Sequence, residues 1–227
     1  MKWLSWEEIP KKMQSNAVKE YYEILNKKKV QLRIKRYFDV VASLILIVLL
    51  SPLMFLIAFM IKVSSPGSII FRQIRVTQYG RKFYILKFRT MVENAQQLGT
   101  QVTKKGDQRV TKVGRILRKY RLDELPQLFN IYAGDMTFVG TRPEVPKYVE
   151  EYTEEMLATL LLPAGVTSMA SIKYKDEEYL LNAAEDVDVT YVKEVLPNKM
   201  EWNLKSIKNF TIKNELEVLF NTIIAVI

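Results

Sequence analysis

The stretch Arg121-Leu122-Asp123-Glu124-Leu125-Pro126-Gln127-Leu128 sets two adjacent carboxylates behind basic residues, in a chain with no histidine and no cysteine. With both of those residue types missing, histidine general-base catalysis, thiol nucleophiles, thiolate metal sites and disulfides are excluded. The reactive groups left are carboxylates, hydroxyls, lysines and arginines. Any metal that works with them is a hard, oxygen-preferring cation such as magnesium. The same octapeptide also reads as the polar start of a helix. Leu125, Leu128 and Phe129 fall at helical spacing, and Pro126 is tolerated only in a first turn, where its missing N–H has no intrahelical partner; a helix is therefore predicted to begin near Asp123. Aspartate is a preferred N-cap, and glutamate in a first turn complements the helix dipole. That placement would equally hold Asp123 ionised and aim it, with Arg118 one turn upstream, at a helix end that accepts phosphate. The octapeptide alone leaves both readings open.

The elements that must position these acids come from the rest of the chain. At 227 residues one compact domain with accessory elements is expected, and the net charge of +9 favours an anionic partner: nucleic acid, an acidic lipid surface or a phosphorylated small molecule. The run VVASLILIVLLSPLMFLIAFMI, from Val40 to Ile61, carries no charge. As a helix it measures roughly 33 Å, the thickness of a bilayer's hydrocarbon core. A buried core helix seldom runs so long without a polar face, and a cleavable signal peptide is shorter and nearer the start. Ser51-Pro52 lies at the middle of the run. Proline removes an N–H and clashes with the Val48 carbonyl, so a kink or break into two half-helices is expected there, with the Ser51 hydroxyl able to satisfy a freed carbonyl. Lys27, Lys28, Lys29, Arg33, Lys35 and Arg36 precede the run, and Lys62, Arg72, Arg75, Arg81 and Lys82 follow it. Both ends therefore favour the cytoplasm, which a re-entrant hairpin satisfies and a single kinked span does not.

Before this segment, Trp3 and Trp6 suit a headgroup interface, and Met13, Ala17, Tyr21, Ile24 and Leu25 recur at helical spacing; the pattern fits a helix on the bilayer surface, against a partner, or in solvent. After it, Ile69-Ile70-Phe71 and Phe83-Tyr84-Ile85-Leu86 read as strands joined through Tyr79-Gly80-Arg81. Basic residues continue through Lys87, Arg89, Arg109, Lys112, Arg115 and Arg118, either as a solvated surface or as bidentate phosphate ligands. Near the end, Leu216, Leu219, Phe220, Ile223, Ile224 and Ile227 form an apolar stripe for packing or membrane contact, with core packing favoured.

In order and spacing, KRYFDVVASLILIVLLSPLMFLI, FRQIRVTQYGRKFYILKFRTM and GRILRKYRLDELPQLFNIYAGDMTFVGTRPE resemble the bacterial sugar transferases, the monotopic polyprenyl-phosphate phosphoglycosyl transferases. The resemblance covers residues 33–169 closely and the part from Tyr191 more loosely. It implies an α+β fold: a mostly helical membrane-associated domain with a small β-hairpin and a re-entrant helix broken at Ser51-Pro52. The division expected is an amphipathic extension (1–32), the re-entrant helix (33–63) and a catalytic domain on the cytoplasmic face of the bacterial inner membrane (64–227). It also implies a reaction, the first membrane step of a surface glycan such as capsule, exopolysaccharide, O-antigen or a glycoprotein glycan. A sugar 1-phosphate passes from a UDP-sugar to undecaprenyl phosphate through a covalent aspartyl-phosphosugar, releasing UMP.

In that scheme Asp123 is the nucleophile and Glu124 its partner, and the two hold Mg2+, with Mn2+ as a substitute. Arg118 and Arg142 bind phosphate; Arg75, Lys87 and Arg89 match family positions with roles left open between substrate and structure. UDP-sugar, undecaprenyl phosphate and anionic membrane lipids are the expected partners, homo-oligomers are allowed, and nucleic acid is not expected. Two departures stand out. Thr141 gives Gly-Thr-Arg-Pro where many members have Gly-Pro-Arg-Pro. The segment from Pro163 to Ser171 keeps Pro-x-Gly-Val-Thr but then offers Lys173 and Lys175 in place of the usual glycine, glutamine and Gly-Arg. The alternative class is a catalytically silent, membrane-tethered basic module or scaffold, which explains the charge but not the paired acids.

Overall fold

The computed structural model describes residues 3–95, 107–174 and 186–226. Ser15, whose hydroxyl accepts from the Val18 N–H, caps helix α1 (Asn16–Asn26). Val18, Tyr21, Tyr22 and Leu25, one helical stripe of α1, are buried together with Tyr152, Leu157, Leu161, Leu196 and Met200. Trp3 stacks on Tyr22 with ring centroids 5.3 Å apart, and its indole N–H donates to Asn26 Oδ1 at 3.1 Å. The bilayer-surface expectation for this helix is therefore corrected: its apolar face is covered by protein, because the later segment around Leu157 supplies a matching apolar surface.

Helix α2 (Lys29–Ser64) contains the uncharged run and, among the described residues, is the one helix long and apolar enough to cross a membrane. A break at the proline is not seen; the chain stays helical through Ser51 and Pro52. Part of the physical reason is local, and part is the packing of the helix on either side of the proline. Pro52 cannot bond the Val48 carbonyl, and the Ser51 hydroxyl donates to it instead at 2.8 Å. One face of α2 is turned to protein along its length. Leu32, Lys35, Asp39 and Ser43 are buried before the proline, and Met54, Ile57 and Ile61 after it. Leu46, Ile47 and Leu50 bridge the two sets by packing on the cluster of Phe83, Ile85 and Leu128. The opposite face, with Phe38, Leu44, Ile45, Val48, Leu49, Phe55 and Phe59, is exposed.

Strands β1 (Ile70–Val76) and β2 (Lys82–Phe88) form the expected antiparallel hairpin, with Ile74 opposite Tyr84 and Arg75 opposite Phe83. Tyr79 (φ 58°) and Gly80 (φ 75°) supply the left-handed residues of its turn. Helix α3 (Lys112–Lys119) is capped by Thr111 and lies so close to β2's continuation that a Cβ on Gly114 would sit 2.0 Å from the Thr90 carbonyl oxygen. After the acidic turn come α4 (Gln127–Ala133) and β3 (Met136–Val139). Then follow α5 (Pro146–Glu150) and β4 (Ala164–Thr167), which pairs in parallel with β3. Gly140, just past β3, and Gly165, within β4, touch backbone to backbone, at a separation that would put a Cβ of Gly165 2.2 Å from Gly140 N.

Short helices α6 (Met169–Lys173) and α7 (Val187–Thr190) lead, through a π-helical turn at Tyr191–Val195, to α8 (Leu196–Lys208) and α9 (Ile212–Val226). Helix α9 is pinned to α2 by the Lys35–Glu215 ion pair. Core packing of its apolar stripe is corrected: Leu216, Phe220, Ile223 and Ile224 are exposed, and Val218 faces inward. The ion pair at Glu215 sets this rotation, turning the flanking Leu216 outward. The architecture is α+β and mostly helical.

Candidate active site

The acids sit in a tight turn. Helix α3 ends at Lys119, and Arg121 reverses the chain in the left-handed region (φ 55°, ψ 19°). Leu122–Glu124 then forms one 3-10 turn before Pro126 opens α4. Asp123 is inside this turn and not at an N-cap; Arg121 holds the cap position with no side-chain bond. A non-glycine residue held at positive φ costs of the order of 1 kcal/mol and recurs where geometry serves a site.

The two carboxylates live in opposite surroundings. Glu124 Oε1 accepts from Lys87 Nζ at 2.9 Å and from Arg142 Nη2 at 2.5 Å, while Oε2 faces Arg142 Nη1 at 3.4 Å. Burial works to raise its pKa, but Arg142 and Lys87 outweigh burial and hold the carboxyl well below the usual carboxylate range. Asp123 is only 8% exposed. Among the described residues, no hydrogen bond or ion pair reaches its carboxylate. Burial and the neighbouring Glu124 carboxylate raise its pKa, more than Lys87, Arg118 and Arg121 lower it. Burial also pushes the Lys87 ammonium down, against the pull of Glu124.

The basic residues named from the sequence divide by what they touch. Lys87 and Arg142 converge on Glu124 from β2 and from the turn after β3. Arg142 also donates to the Val166 carbonyl at 3.1 Å, a contact made possible by the Gly140–Gly165 approach. Arg118 donates from Nε to Thr90 Oγ1 at 2.9 Å and lies near enough to Asp123 to lower its pKa. Arg75 shares a hairpin face with Lys87, yet it bonds Gln73 and the Pro143 carbonyl (3.1 Å), bracing the turn that bears Arg142. Arg89 is not brought to the acids; it donates to the Ser65 and Pro66 carbonyls and closes the end of α2. Lys173 lies over the Trp202 ring, 5.5 Å from its centroid, and Lys175 falls outside the described residues. Ser51 and Pro52 lie far along α2, in the exposed apolar stretch.

Sequence reasoning did not single out Thr90, Asn130 or Glu144. Asn130 bonds the β2 backbone, and the buried Glu144 accepts from the Tyr191 hydroxyl at 2.5 Å while facing Arg75 at 3.9 Å. Only Asn130 left a sequence signal, a polar residue on the same helical face as Asp123. For a metal, no group of three acidic side chains occurs among the described residues. The chain offers Asp123 and Glu124, the one or two carboxylates that magnesium takes when substrate phosphates complete its shell.

Residues 30–227 match the family described as bacterial sugar transferase. The chain is 38% identical to a UDP-N-acetylgalactosamine-undecaprenyl-phosphate N-acetylgalactosaminephosphotransferase of Aeromonas hydrophila, over 84% of this chain and 43% of that protein. It is 34% identical to a UDP-glucose:undecaprenyl-phosphate glucose-1-phosphate transferase of Klebsiella pneumoniae, over 83% of this chain and 39% of that one. The chain thus spans less than half the length of these two relatives. The exopolysaccharide production protein ExoY of Rhizobium meliloti is 34% identical, over 85% of this chain and 84% of its own length. Because the match takes in α2, the acidic turn and the Arg142 turn as one continuous unit, the chain belongs to the bacterial sugar transferase family.

Proposed function

We propose that this chain moves a sugar 1-phosphate from a UDP-sugar to undecaprenyl phosphate, with Asp123 as the nucleophile. The observation that carries the reading is the asymmetry of the dyad: Glu124 is neutralised by Lys87 and Arg142, while Asp123 has no donor among the described residues. A carboxylate largely buried and without a hydrogen-bond donor from the described residues is the more nucleophilic of the two. Its oxygen attacks the sugar-proximal phosphorus, the bond from that phosphorus to the bridging oxygen breaks, and UMP leaves. A phosphate oxygen of the lipid then attacks the same phosphorus, releasing the Asp123 carboxylate and forming the lipid diphosphate-sugar. Glu124 keeps Lys87 and Arg142 aimed at the space where the diphosphate charge lies. Magnesium held by Asp123 and Glu124 would screen that charge and ease departure of the leaving phosphate.

The same reading places the chain on the cytoplasmic face of a bacterial inner membrane, with α2 entering and leaving by that face. Its support is the packing of α2: residues on both sides of Pro52 lie against one domain, and both flanks are basic. A panel of UDP-sugars offered without lipid acceptor tests the chemistry. One sugar is expected to give a single-turnover burst of UMP, a matching mass increment on the peptide containing Asp123, and loss of both on chelation of divalent cations. Steady turnover by Asp123→Asn at the wild-type rate would overturn the assignment.

A further inference from the structure

Asn130 lies on α4, 3% exposed, with both ends of its amide engaged by β2. Its Nδ2 donates to the Tyr84 carbonyl at 2.9 Å, and its Oδ1 accepts from the Leu86 N–H at 3.0 Å. Those are groups a third strand would take, so one side chain covers part of the edge of a sheet that has two strands among the described residues. Among uncharged side chains of this length, only the amide supplies one donor and one acceptor together. Lys87 follows Leu86 directly and reaches Glu124 Oε1 at 2.9 Å. The path from Asn130 to β2, through Lys87 to Glu124 and back along the start of α4, is a closed ring.

We infer that Asn130 is a positioning residue for the transfer reaction: by fixing β2 against α4 it sets the reach of Lys87 onto Glu124. The inference rests on the reading of Asp123 and Glu124 as the reacting dyad. Phe83 and Ile85 also bury against Leu128 and Ile131, but apolar packing is non-directional, whereas the two amide bonds fix the register of β2 on α4. Displacements of about 1 Å in a catalytic constellation cost roughly a hundredfold in rate.

The experiment uses the full chain in lipid, with Asn130→Ala and with Asn130→Asp; the latter keeps size and one acceptor but turns an oxygen toward Tyr84, and serves if the alanine variant does not fold. Turnover is measured with a UDP-sugar and undecaprenyl phosphate. In parallel, an amine-selective reagent read by mass spectrometry reports the accessibility of Lys87, with the buried Lys35 and Lys199 as internal references. Both variants are expected to lose roughly ten- to a hundredfold in kcat. Labelling of Lys87 should rise several-fold, and labelling of Lys35 and Lys199 should not. Unchanged turnover overturns the inference, as does lost turnover with Lys87 still protected, or equal loosening of all three lysines. If the wild type itself transfers no sugar phosphate, the functional reading fails, and the labelling still decides whether Asn130 places Lys87.

Discussion

Neutralising Asp123 and neutralising Glu124 are expected to move stability in opposite directions. Burial raises the folded-state pKa of Asp123, so the stability it contributes is complete below the unfolded pKa and is lost as pH rises through the raised value. At neutral pH its charge is a burden. Asp123→Asn should therefore abolish transfer yet raise the melting temperature by about 2–4 °C, the effect of about 1 kcal/mol in a chain of this size. Glu124 is the reverse: its pKa is depressed despite burial, so its contribution is present above the unfolded pKa and is lost as pH falls through the lower folded value. Glu124→Gln removes the carboxylate charge that faces Lys87 and Arg142 and should cost of the order of 3 kcal/mol at pH 7. The difference from wild type should narrow as both proteins are melted at progressively lower pH below about 4. Equal melting temperatures for both variants at pH 7 would refute the asymmetry. The acids themselves were legible because composition removes the alternatives. Their inequality was not, because it depends on Lys87 and Arg142 arriving from distant segments, and no local spacing tells those residues from Arg75 and Arg89, whose carbonyl partners are set by tertiary packing.

At the scale of elements, α2 shows how far sequence reading reaches. Its length, its apolarity and the bond from Ser51 to the Val48 carbonyl were all legible, since each is local. The continuity of the helix was not, because it depends on a buried face that packs before and after Pro52. Replacing Pro52 by alanine restores the missing N–H and removes the clash, favouring straight helix by about 3 kcal/mol. Single cysteines at the exposed Lys27 and Ser68, clean reporters in a chain without native cysteine, give the topology with an impermeant thiol reagent on intact cells. Both are expected to resist the reagent in the parent chain. With Pro52→Ala, a fraction of molecules should expose the Lys27 reporter, and activity should fall. Full protection with full activity in the alanine variant would show that the proline does not govern how the helix enters the bilayer.

Across the whole molecule, the first helix belongs to the same core as the segments near the end. Leu25 is fully buried among residues contributed from 152 to 200. Leu25→Ala should cost about 3 kcal/mol and lower the melting temperature well away from any catalytic residue. Retention of wild-type stability would mean that α1 is only loosely docked. The amphipathic pattern of α1 was visible from its sequence, but the identity of its partner was not, because the matching surface forms only when distant stretches fold together. The parallel pairing of β3 with β4 was missed for the same reason: each strand is four residues long, too short for alternation to register. The cover on the inner face of α2 has a consequence for how the protein is made. Leu46, Ile47 and Leu50 leave the ribosome well before Phe83, Ile85 and Leu128, which lie against them in the finished fold. For that interval a long apolar helix has neither face protected, a species prone to aggregate in water. Synthesis at the membrane, with lipid shielding the segment until the hairpin and α4 displace it from one side, resolves the problem, so release of the nascent chain into a lipid-free extract should yield aggregates rather than a soluble catalytic unit.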